Sequence, residues 1–205
     1  LPPWHIAERM FETFCFFSGG SIAFTSITTL GQDLREIRPT LMFSVPRVWE
    51  SFYNKMLESV KNASALRKSV FNFSRKVAVN YNWHAANLGD RVYRLDRRAG
   101  TMEKLGSLLY VIFMWPAKVF ARAVFARIRA VLGGNLRFAI SGAVALPEHI
   151  DRLFTAIGIP IVEAYGMTET SASGSARFLS NHVVGTIGRP IEGVEIKLVD
   201  EQGQT

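Results

Sequence analysis

The stretch LRFAISGAVALPEHIDRLFTAIGIPIV, residues 136–162, decides the fold. Leu136 to Ile140 is a short apolar run that reads as a strand, and Ser141 to Ala145 reads as a loop. Pro147 then opens a helix with Ile150, Leu153, Phe154 and Ile157 on one face, Gly158 stops it, and Ile159 to Val162 makes a second strand. A strand, a helix and a strand in that order form a right-handed crossover, so both strands run parallel and their carboxyl ends lie on one rim. Ser141-Gly142-Ala143 and Tyr165-Gly166-Met167-Thr168-Glu169 are therefore expected to face a common crevice.

Upstream, the same alternation is visible. His5 to Ser18 carries Ile6, Met10, Phe14 and Phe17 at helical spacing and ends at Gly19-Gly20; Ser21 to Thr25 is expected to follow as a strand. Gly31 to Arg38 reads as a brief helix. Thr40 to Val45 reads as a buried strand, and Pro46 opens a long helix through Val48, Trp49, Phe52 and Met56. The fold class is α/β, a doubly wound, mostly parallel sheet. A long helical insertion spans about 59–134, looser around Asn87 to Gly100. On a wheel, Phe120, Val124, Ile128 and Val131 share one face, expected to pack on a core, with Lys118, Arg122 and Arg129 opposite.

Downstream, Gly185, Gly188, Pro190 and Gly193 punctuate the chain. Val194, Ile196 and Leu198 alternate before Asp200-Glu201-Gln202-Gly203, a pattern expected of a half-buried strand entering a hairpin. The domain reading is 1–182 for the α/β part and 183–205 for the start of a β-rich subdomain. The chain opens at Leu1 without an initiator methionine or a signal peptide, and that last strand has no returning partner. It is therefore expected to be an internal piece of a larger protein.

With 205 residues and 48% hydrophobic content the chain can bury a sizeable core, which excludes disorder as the default. The lone Cys15, in the run Phe14-Cys15-Phe16-Phe17, is expected to be a small buried thiol. No disulfide framework is available, which fits the cytoplasm. The longest uninterrupted apolar run, Leu108 to Trp115, is shorter than the roughly 20 residues of a spanning helix, so none is expected. The net charge of +7 is concentrated: Lys61 to Arg137 holds 15 basic residues against Asp90, Asp96 and Glu103. Such a block suits a solvated face, an anionic cofactor, a membrane surface or nucleic acid.

At the rim, Tyr165 offers a flat face for a base and Gly166 lets backbone approach a ligand. Thr168 can donate to a phosphate oxygen, and Glu169 can hold Mg2+, which prefers oxygen ligands shared with phosphate. Gly142 and Ala143 leave room for a planar ring. Glycine and threonine after a strand are equally the residues of a tight turn.

Ser141-Gly-Ala-Val-Ala-Leu-Pro147, Tyr165-Gly-Met-Thr-Glu-Thr170 and Val184-Gly-Thr-Ile-Gly-Arg-Pro190 together resemble the ordered motif series of adenylate-forming enzymes. Leu1-Pro-Pro-Trp-His5 with Glu8-Arg9, Val45-Pro-Arg-Val-Trp-Glu50, the helical insertion, and Ala126-Arg-Ile-Arg to Gly133-Gly134 resemble the long-chain fatty acyl-CoA synthetase branch in particular. The resemblance implies a two-step, AMP-forming ligation of a fatty acid to CoA with ATP and Mg2+ through an acyl-AMP. It implies that Tyr165 stacks on adenine and that Ser141, Gly142, Ala143, Glu163, Ala164, Gly166 and Met167 line the nucleotide, largely through backbone. Thr168 and Glu169 would serve phosphate and Mg2+, and His5 would gate the acyl pocket. It also implies a phosphate loop upstream, a ribose-holding aspartate and an adenylation lysine downstream, so the isolated chain is expected to be inactive. With the resemblance, membrane contact through the basic region remains an expectation and nucleic acid is not expected. Ala143-Val144 stands where this branch commonly has Gly-Ala.

Overall fold

The computed structural model describes residues 4–93, 98–200 and 202. Leu1 to Pro3 of the opening motif, the 94–97 part of the basic block, and Glu201 and Gly203 of the expected turn lie outside the described residues.

The central unit is the expected one, with small shifts of boundary. Strand β1 (Leu41–Ser44) pairs in parallel with β2 (Phe138–Ser141), and β2 in parallel with β3 (Ile161–Tyr165), through helix α7 (Glu148–Ile157). Two short antiparallel strands, β4 (Ser175–Ala176) and β5 (Arg189–Pro190), extend the sheet beyond β3, giving the order β1-β2-β3-β4-β5. Between β1 and β2 run helix α3 (Pro46–Lys61), α4 (Ala65–Leu88), α5 (Thr101–Val124) and α6 (Ala126–Val131). Helix α1 (Ile6–Phe17) and α2 (Leu30–Ile37) precede the sheet.

Side-chain alternation assigns the two sheet faces. Met42, Ala139 and Ile161 join one core with Trp49 of α3, Phe71 of α4, Phe125, and Ile150, Leu153, Phe154 and Ile157 of α7. Phe43, one residue on, points the other way and stacks on Phe11 of α1, with ring centroids 4.5 Å apart. Helices therefore cover both faces, as a doubly wound sheet requires.

Several expectations need correction. Ser21 to Thr25 and Val194 to Leu198 form no strand among the described residues; both are largely exposed, so alternation in them buries nothing and stabilises no ladder. Cys15 is free but only half-buried, because no residue of α1 is fully buried. The wheel for residues 120–131 is reversed in part. Phe120 and Val131 are exposed, while Lys118 and Arg129 turn inward. Their reason for doing so is the carboxyl end of α7, whose last carbonyls need donors. Asn82 Nδ2 donates to Thr155 O at 3.0 Å, Lys118 Nζ to Ala156 O at 3.2 Å, and Arg129 to Ile157 O at 2.9 Å. Three consecutive carbonyls are thus capped by three different helices of the insertion. Finally, Thr101–Val131 is long and apolar enough to cross a membrane by length and composition alone; counting only the uninterrupted run had stopped at Pro116 and Lys118.

Candidate functional site

The tips of β1, β2 and β3 place Ser44, Ser141 and Glu163 side by side, since Ser44 pairs with Ser141 and Ser141 with Glu163 in the sheet register. All three are buried, and the hydroxyls of Ser44 and Ser141 have no hydrogen-bond partner among the described residues. A buried hydroxyl without a partner costs about 1–3 kcal/mol, so two neighbouring ones at strand tips mark a place where polar capacity is left over.

Glu163 does not leave its carboxylate to the crevice. One oxygen accepts the backbone N–H of Leu146 at 2.7 Å and the other pairs with Arg177, whose second nitrogen bonds Asp151 of α7. Asp151, Glu163 and Arg177 are all buried, and His182 lies 4.0 Å from Asp151. This tie holds the 142–146 loop, α7, β3 and β4 in one arrangement. What Glu163 offers the rim is its backbone. Sequence reading missed Arg177 and Asp151, although a signal existed: each is a charged residue at an inward position of an otherwise apolar or small-residue element, and buried charges must pair.

The two rim segments meet. A Cβ on Gly142 would stand 3.6 Å from the carbonyl oxygen of Ala164, so the loop after β2 lies against the end of β3. Ala143 follows, exposed, in the left-handed region at φ 75°. Tyr165 closes β3 with its side chain 48% exposed. From there the chain turns through Thr168–Thr170, a single 3-10 turn, and returns to β4 by way of Ser171 and Ala172, both left-handed at φ 53° and 61°.

The turn separates its two threonines by role. Thr170 Oγ1 is held between Met167 N and Met167 O, each at 3.1 Å, and so is structural. Thr168 and Glu169 are exposed, and among the described residues neither side chain has a hydrogen bond or ion pair. Gly166 and Met167 are exposed beside them. Tyr165, Thr168 and Glu169 are therefore available at the surface on the segment that leaves β3 just after Ala164, which Gly142 meets. No group of three metal-ligating side chains occurs among the described residues. A single free carboxylate suits Mg2+ that takes its remaining ligands from phosphate and water.

His5 stands apart from this geometry. Its Nδ1 accepts Ala7 N at 3.2 Å and caps α1, and the link from that helix to the rim is made by Met10, whose sulfur receives Ser173 Oγ at 3.7 Å. The third motif is structural here: Arg189–Pro190 forms β5, and Gly188 lets its backbone approach Ala176. A cavity of about 320 Å3 opens elsewhere, between α4, α7 and residues 179–184, with Trp83, Arg152 and His182 on its walls; no rim residue lines it.

Comparison with known proteins identifies the family. The model of the family described as AMP-binding enzyme matches residues 1–205. An Arabidopsis thaliana protein named probable acyl-activating enzyme 16, chloroplastic, is 32% identical over all of this chain and 29% of its own length. Also 32% identical, over 98% of this chain and 28% of its own length, is the Arabidopsis long-chain-fatty-acid–[acyl-carrier-protein] ligase AEE15, chloroplastic. The long-chain-fatty-acid–CoA ligase FadD15 of Mycobacterium bovis is 29% identical over 98% of the chain and 30% of its own length. The chain thus spans under a third of these relatives. Among solved structures, the N-terminal domain of FACL13 from Mycobacterium tuberculosis superposes with a TM-score of 0.53 at 15% identity, covering 99% of this chain and 35% of that one, a likeness of fold. With a family match along its whole length, this chain belongs to the AMP-binding enzymes.

Proposed function

We propose that the protein carrying this chain is an AMP-forming ligase that activates a long-chain fatty acid with ATP and passes the acyl group to the thiol of CoA. The observation that supports the reading is the approach of Gly142 to Ala164 at the strand tips, on a chain whose next exposed residues supply a tyrosine ring, a threonine hydroxyl and a carboxylate. In the first step a carboxylate oxygen of the acid attacks the α-phosphorus, pyrophosphate leaves, and acyl-AMP forms. In the second the thiol attacks the acyl carbon and AMP leaves. Charge accumulates on phosphate oxygens in the first step, so placed donors and cations do most of the work.

Each residue then has one task. Tyr165 stacks on adenine, while the backbone from Ser141 to Ala143 and from Glu163 to Met167 borders its edge. Thr168 donates to a phosphate oxygen. Glu169 is the residue that would hold Mg2+, whose chemistry is to neutralise and orient the phosphates. His5, which caps α1, is assigned to gate the approach of the acyl group. The α/β part is assigned to residues 1–182 and the start of a β-rich subdomain to 183–205. Long-chain acids partition into bilayers, so this substrate favours contact of the basic helical block with a membrane over nucleic acid. With Cys15 unpaired, we place the protein in a reducing compartment such as the cytoplasm. Turnover is assigned to the whole protein and not to the 205-residue chain alone.

The test is acid-dependent release of pyrophosphate from ATP by the whole protein, across acids of graded length. Glu169→Gln should lower the rate by about 100-fold or more. An unchanged rate would remove Glu169 from the mechanism. Because one relative is named as an acyl-carrier-protein ligase, CoA and acyl-carrier protein are offered in parallel as thiol acceptors; CoA should be preferred.

A further inference from the structure

Helix α5 is built inside out. Its inward side carries Ser107, which meets His84 at 3.0 Å and Asn87 at 2.8 Å. Tyr110 stacks on His84 at 4.1 Å, and Lys118 reaches Asn82 and α7. Its outward side carries Met102, Leu105, Leu109, Ile112, Phe113 and Phe120, all exposed, with Phe113 at 73% and Met102 at 78%. Spacings of three and four place these residues on one face, and no charge interrupts the helix between Lys104 and Lys118. An ordinary surface helix shows the reverse pattern.

Apart from Asp90, which pairs with Lys104 at the start of α5, and Glu103, the described charges around this face are positive. Antiparallel to α5, helix α4 contains no acidic residue and exposes Arg67, Arg75 and Lys76; Leu66 and Phe73 are exposed on it as well. The single acid of the two helices, Glu103, is occupied with the backbone N–H of Gly100 at 3.1 Å. An apolar stripe roughly 27 Å long, at 1.5 Å per residue from Met102 to Phe120, flanked by cations, matches the interface of an anionic bilayer: side chains enter the acyl boundary and the cations meet headgroup phosphates.

We propose that α5 is a monotopic membrane anchor, lying in the plane of an anionic bilayer with its Met102-to-Phe120 face inserted and the Arg67, Arg75 and Lys76 side chains of α4 beside it on lipid headgroups. Lying flat, and not spanning, follows from the inward side: crossing the bilayer would strip Lys118 from Asn82 and Ala156 and Ser107 from Asn87. The inference deepens the membrane contact proposed above by naming the face that makes it, and it uses no residue of the adenylation site, so failure of the adenylation assay leaves it standing.

The experiment is sedimentation of the whole protein with vesicles of phosphatidylcholine alone or with one third phosphatidylglycerol. A fluorophore at position 113 is read in parallel, in a Phe113→Cys, Cys15→Ser variant. Expected are binding to the mixed vesicles that weakens with salt, a blue shift of the label, and release by alkaline carbonate. Ile112→Asn with Phe113→Asp, both at exposed positions, should lower partitioning about tenfold or more at unchanged thermal stability. Arg75→Glu with Lys76→Glu should remove most of the preference for anionic vesicles. The proposal is overturned by equal binding of the apolar double variant, or by resistance to carbonate, which would mean a span. It is also overturned by a label already shielded without lipid, or by a dimer that the apolar variant dissociates, since either would mean that protein covers the face.

Discussion

A methyl group at position 166 would stand 2.2 Å from the carbonyl oxygen of Ala172, and no flexible side chain is there to move aside. Gly166 is thus required by backbone meeting backbone where the turn folds over the end of β3. Gly166→Ala should cost about 1–3 kcal/mol and displace Thr168 and Glu169, read as a lower Tm together with loss of nucleotide binding. Ala143 presents the opposite case. At φ 75° it holds a conformation that costs a side-chain-bearing residue about 1–2 kcal/mol and glycine little. Being exposed, it loses no packing on truncation. Ala143→Gly should therefore raise Tm by roughly 1–4 °C after glycine's own entropy is counted; a fall would mean that Ala143 is not strained. The residue types at the rim were legible in sequence because glycine, threonine and a carboxylate follow directly on a strand end there. Which threonine is free was not, since Thr168 and Thr170 differ only in which way the turn aims them. The partner of the Glu163 carboxylate was not legible either, because Arg177 reaches it from fourteen residues away.

Among the elements, the β2-α7-β3 unit was readable to within about two residues because proline, glycine and period all agree there. The insertion was readable as helical, but not which face goes in, because that depends on the carbonyls at the end of α7. Lys118 carries the physical signature of this choice. Burial first, and then the charges of Arg122 and Arg129, lower its ammonium to about 8. The sign follows from linkage: a lysine depressed in the folded state binds fewer protons there than when unfolded, so its burden on stability is full below about pH 8. That burden is relieved as pH rises towards the ordinary lysine value near 10.4. The wild type should gain stability over Lys118→Met between pH 8 and 10, measured as the difference in urea midpoint. A constant difference would show that the bonds to Asn82 and Ala156 keep the charge unperturbed. The Arg177 tie belongs to the same scale, because it joins α7 to β3 and β4. Arg177→Met leaves two carboxylates buried without a cation and should cost about 3–5 kcal/mol in denaturant unfolding.

Across the whole molecule, two bodies of secondary structure meet at a small set of polar bonds. The sheet and α7 share an apolar core with Phe71, Ala121 and Phe125 of the insertion, yet α4 and α5 also hold each other through Ser107, Asn87 and the His84–Tyr110 stack. An element with its own internal contacts and a limited junction can open without unfolding the rest. The junction's polar part is the triple cap of α7 by Asn82, Lys118 and Arg129, each from a different helix. Removing those donors leaves Ala156 O and Ile157 O unpaired at the end of α7, at about 1–3 kcal/mol each, while Thr155 O keeps the N–H of Gly158 at 3.1 Å and the rim contacts of Gly142, Glu163 and Tyr165 are untouched. The Asn82→Ala, Lys118→Met, Arg129→Met variant is therefore expected to lose amide protection first in α7's last turn and along α4 and α5. Protection of β2 and the middle of β3 should remain close to wild type. Native-state hydrogen exchange resolves the two bodies directly. Equal loss of protection everywhere would mean that the apolar core couples the insertion to the sheet so tightly that the chain unfolds as one unit. In that case the cap would serve register and not docking.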